Sequence, residues 1–156
     1  MKNKYFPEEE ITMNDLYFIC YMIERVARHI KQKNSYVVNA IGRDELYHLL
    51  SCAIVLHCEN PEKVEDDWIR DYELKEGDFD ITKVDPELAT IIPTPLDMGE
   101  VYQRLIADTL STKEDLVDGI IRVYNDSICD VIDNYNCSAF YEPSYVIARA
   151  YQDGGF

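Results

Sequence analysis

Apolar residues recur at helical spacing along most of the chain. Leu16, Ile19, Cys20, Ile23, Ala27 and Ile30 line one face of a first helix. Thr12 caps its start, and Asp15 three residues later completes a capping box. The pattern carries this helix to about Lys33–Asn34, with Glu24 and Arg28 as a surface pair four residues apart. Ser35 then caps a short helix through Ile41, closed by Gly42. Asp44 opens a helix over 45–58. There Leu46, Leu49, Leu50, Ala53, Ile54 and Leu56 make most of the circumference apolar, which predicts a central position. Asn60 and Pro61 read as N-cap and first-turn proline of an acidic helix reaching about Tyr72. The helical period resumes near Leu96 or Asp97 and runs to Leu110. A capping-box spacing from Thr112 to Asp115 then precedes one long stripe from Leu116 to Ile132. Residues 134–142 form a loop rich in Asn and aromatics. Pro143 begins a last helix, which Gly154 ends.

Residues 73–95 break the period, with Gly77, Pro86, Pro93 and Pro95 as punctuation. Two short runs around Glu76-Gly77-Asp78 fit either a small hairpin or an irregular acidic loop. The expectation is an all-α compact bundle of about six helices. It forms a single domain over 1–156, with halves 11–72 and 96–156 joined by 73–95. The first ten residues read as a loose arm.

Charge narrows the function classes. The 156 residues carry 30 acids and 15 bases, a net −15. Residues 59–100 hold 14 acids and 4 bases, so two-thirds of the excess lies in that stretch. Such a field repels phosphate backbones and anionic lipid, and attracts basic proteins. Nucleic acid and membrane are therefore disfavoured as partners; an acidic surface that mimics nucleic acid would need carboxylate spacing that sequence does not reveal. Apolar runs such as Cys52 to Leu56 are far short of a membrane span, and the acidic start lacks the apolar core of a secretory signal. Five cysteines without a C-x-x-C pair read as reduced thiols, and the expected location is cytoplasmic.

Candidate chemistry is sparse. Phosphate-binding glycine loops, H-E-x-x-H and G-x-S-x-G are absent. Glu45 and His48 have the E-x-x-H spacing of carboxylate-bridged metal bundles, with Cys52 one turn on and His57 beyond, but the second copy that such bundles need is missing. His57 fits the end of its helix, hydrogen-bonding the last carbonyls. No catalytic residue, cofactor or metal is expected. Twelve tyrosines and Trp68 suit either the walls of a core or a protein interface.

Phe18, Ile19, Ile23 and Glu24 form an F-I-x-x-x-I-E opening. Gly42, the Leu56-His57 pair, and Val64, Asp66, Asp67 and Ile69 follow at matching spacing. Over residues 18–69 the chain resembles a family of small helical bacterial domains without assigned function. The family has a Thr-Gln-Gly-like turn after Leu-His, where this chain has Cys58-Glu59-Asn60. Members are sometimes encoded near toxin-like domains, so the resemblance implies a partner-binding, antitoxin-like role and supplies no catalytic residues.

The leading expectation is a non-enzymatic protein-binding or regulatory module, alone or as a homo-oligomer. It meets a basic partner through Glu65, Asp66, Asp67 and Trp68 and through Tyr141 and Tyr145. The alternative is a small-molecule enzyme or metal protein centred on Glu45, His48, Cys52 and His57.

Overall fold

The capping signals decide where helices begin. In the computed structural model, which describes all 156 residues, Thr12 and Asp15 cap α1 (Met13–His29) reciprocally. Asn60 accepts from the Glu62 amide at the start of α4 (Pro61–Asp71). Between them lie α2 (Asn34–Ile41) and α3 (Arg43–Leu56). Thr94 and Asp97 repeat the box at α5 (Pro95–Thr109). The next box is Asp115 with Asp118, not Thr112 with Asp115, and opens α6 (Leu116–Tyr124). After α7 (Ile128–Ile132) come a short 3₁₀ helix (Ala139–Tyr141) and α8 (Ser144–Asp153), closed by Gly154 in the left-handed region.

The architecture is all-α, with eight α-helices and no strand, rather than about six helices. The count rises because the expected 112–132 helix is split. Asn125 turns aside to exchange two amide hydrogen bonds with Asn39 of α2, and Asp126 caps the Ile128 amide at 2.8 Å. α1 also stops early, at His29. Lys31 takes a positive φ of 54°, and the carbonyls of Ile30 and Lys31 accept from the amides of Gly77 and Phe79. The 73–95 segment is thus an irregular loop that closes the end of α1, not a hairpin. Gly77 is required there, because a Cβ would stand 2.7 Å from the Lys31 carbonyl oxygen.

The central helix is α1, packed against α2, α3, α4 and α5. α3 was expected at the centre, yet it leaves Ile54 and Val55 exposed. What puts α1 at the centre is its closeness to α5. A Cβ on Gly99 would lie 2.7 Å from the Tyr21 amide nitrogen, so only glycine permits this approach. One continuous core joins residues 11–74 to 98–148. The N-terminal arm is fastened rather than loose. Asn3 is buried and donates to the Ser51 carbonyl, and the Tyr47 hydroxyl donates to that of Lys2. No helix is long and apolar enough to cross a membrane.

Candidate functional site

Two features stand out where the helices meet, a buried carboxylate pair and an exposed apolar loop. The pair begins with Glu24. Its spacing to Arg28 reads as a surface pair, yet the residue is only 3% exposed and the two side chains form no ion pair. Asn34, the first residue of α2, is also buried, and its side-chain amide bridges two acids. It donates to Glu24 Oε1 at 3.0 Å and to Asp133 Oδ2 at 3.2 Å. Lys33, not Ser35, takes the N-cap position of α2, which turns Asn34 inward. The Tyr102 hydroxyl of α5 donates to the other Asp133 oxygen. Tyr124 packs its ring on Tyr102 at 4.7 Å, and its buried hydroxyl has no hydrogen-bond partner.

Burial, and then the neighbouring Asp133, hold the Glu24 carboxyl well above the usual range. Burial likewise raises Asp133 to about 7, opposed by the Tyr102 hydrogen bond. The same burial pushes the thiols of Cys20 and Cys129 up, which leaves them unreactive. Asp133 also borders a surface cleft of about 200 Å³ lined by Phe79, Lys83, Val84 and Asn136. Hydrogen-bonded carboxyl groups stitch α1, α2, α5 and the end of α7 together. Sequence reasoning missed this cluster; its only signal was one glutamate on the apolar side of a strong helix.

The second feature lies in the loop before α5. Leu88 is 68% exposed and Ile91 79%, with Ile92 also outside and Leu96 exposed just beyond, in the first turn of α5. Leu88, Ile91, Phe140 and the exposed Tyr141 border a shallow depression of about 350 Å³. Exposed apolar groups gathered in one place mark contact surfaces more than singly scattered ones do.

The expected interaction residues divide. Asp66, Tyr141 and Tyr145 are exposed and Asp67 is half-buried. Glu65 and Trp68 are not surface groups. Trp68 is core, and Glu65 is buried, accepts from Arg25 and lies against the His29 ring nitrogen, tying α4 to α1. Trp68 faces inward because it follows Val64 by four residues on the face packed against α1.

The alternative centre does not converge. Glu45 and His48 stand 3.9 Å apart on exposed α3 surface, and Glu45 accepts from Tyr72 instead. Cys52 is half-buried one turn on. His57 is exposed and lays its ring on Phe18 at 4.2 Å rather than over the last carbonyls. No three His, Cys, Asp or Glu side chains come together as a metal ligand set. All five cysteines are free thiols. No family model, curated protein or solved structure matches the chain.

Proposed function

We propose that this protein is a non-enzymatic protein-binding module whose docking face is the 88–96 loop with Tyr141. The observation behind this reading is the exposure of Leu88, Ile91 and Ile92 within one irregular segment, continued by Leu96 in the first turn of α5. That segment lies in the most acidic part of the chain, which carries net −10 over 59–100. The chemistry fits a partner that offers an apolar side chain flanked by Lys or Arg, with opposite charge speeding encounter and the apolar contact supplying residence time. The regulatory, antitoxin-like role implied by the resemblance is one form such binding takes, and Asp66 and Asp67 extend the same field away from the face.

Selection of a displayed random-peptide library on the purified protein tests this reading. Enriched peptides should combine Leu, Ile or Phe with flanking Lys or Arg. They should lose at least tenfold in affinity to the Leu88→Ser/Ile91→Ser variant and weaken as salt is raised. Peptides without basic residues, or peptides that bind the variant equally well, would place binding elsewhere or remove it.

A further inference from the structure

The 85–93 stretch is held to the rest of the fold by very little. Its hydrogen bonds at Glu87, Leu88 and Ala89 all return to Asp85. Only Ala89 and Pro93 are buried there. The single hydrogen bond that ties the stretch to a helix runs from Arg28 Nη2 to the Pro93 carbonyl at 2.8 Å. Arg28 is poorly satisfied in this position, since its Nε is buried without a partner. It stands one turn beyond Glu24 on α1, so the two side chains can reach each other.

The fold places the charged and titratable groups around the buried pair and Arg28. Cys20 and Arg28 face the pair from α1, Lys33 from the start of α2, Tyr102 from α5, Tyr124 from α6, and Cys129 and Asp130 from α7, while Tyr135, just after α7, stands near Arg28. Lys33 is exposed and bound to Asp130 at 3.0 Å. Asn34 and Tyr102 donate three hydrogen bonds to the two carboxyl groups, enough for a pair that keeps a proton and too few for two buried charges. Arg28 is the cation within reach when that proton leaves.

We propose that Arg28 is a proton-controlled latch on the 85–93 loop. While the Glu24–Asp133 pair holds a proton, Arg28 grips the Pro93 carbonyl and the loop is seated. When the proton goes to solvent, Arg28 turns to the Glu24 carboxylate, its Nε gains a partner, and the loop is released. This is regulation of the face proposed above and rests on that reading for its biological use, but the latch itself works without a partner.

The test reads the loop directly. Backbone ¹⁵N order parameters of residues 87–92 are measured for the whole protein in steps from pH 5 to pH 9.5. The wild-type loop should be ordered at pH 5 and fall below about 0.6 toward the alkaline end. Glu24→Gln should stay ordered throughout. Asp133→Asn removes the neighbouring charge that raises Glu24, so the midpoint of release should move to lower pH. An unchanged wild-type loop between pH 5 and 9.5, or a Glu24→Gln loop that loosens as the wild type does, would overturn the latch. Either result leaves the peptide-binding test of the docking face intact.

Discussion

Gly99 sits where two helix backbones nearly touch, and no side chain fits between it and Tyr21. Gly99→Ala should cost about 1–3 kcal/mol by forcing α1 and α5 apart, a change that urea unfolding would register. Glu24 and Asp133 set an unusual pH response. Above about pH 4 the unfolded chain releases protons from both groups, whereas the folded protein keeps them. The folded state therefore binds more protons up to about pH 7, and stability falls as pH rises through that interval. Glu114, held below its ordinary value by Arg122, acts only on the acid side, where its stabilisation is lost as pH falls below about 4. Melting should occur about 5 °C or more lower at pH 8 than at pH 5, and Asp133→Asn should flatten the slope in a calorimetric series. None of this was legible from Glu24 itself. A glutamate four residues before an arginine on a helix is ordinarily solvated, and what buries it comes from Asn34 and from Asp133, 99 positions beyond Asn34.

Helix starts were legible wherever the signal was local. Thr12 with Asp15, Asn60 with Pro61, and Pro143 before α8 need only their own neighbours in sequence. Helix ends were less so, because partners far along the chain decide them, as Gly77 and Phe79 do for α1 and Asn39 does at the α6–α7 break. The same limit applies to α4, where acids look alike in sequence but only one faces inward. Glu65→Gln should destabilise by about 1–2 kcal/mol, since it removes the charge that Arg25 and His29 meet. Asp66→Asn should stay within about 0.5 kcal/mol. Paired thermal melts of the two variants would separate the inward acid from the outward one.

The whole molecule is acidic outside and continuous inside. Composition made its charge legible and apolar periodicity its helical class, whereas the docking loop was legible only as a break in periodicity. Exposure of Leu88 and Ile91 depends on how little else holds 85–93 in place. The continuity of the core also bears on the two halves seen in the sequence. α1 begins at Met13, but the helix that covers it most closely, α5, begins at Pro95. A fragment ending at residue 94 should therefore lack cooperative unfolding, which a denaturant titration followed by circular dichroism would show as a broad, sloping change. The same order matters during synthesis. At about 5–20 residues per second, roughly 4–16 s pass between the appearance of α1 and that of α5. Through that interval α2, α3 and α4 can already pack on the first helix, but the face that α5 covers most closely stands without its native partner.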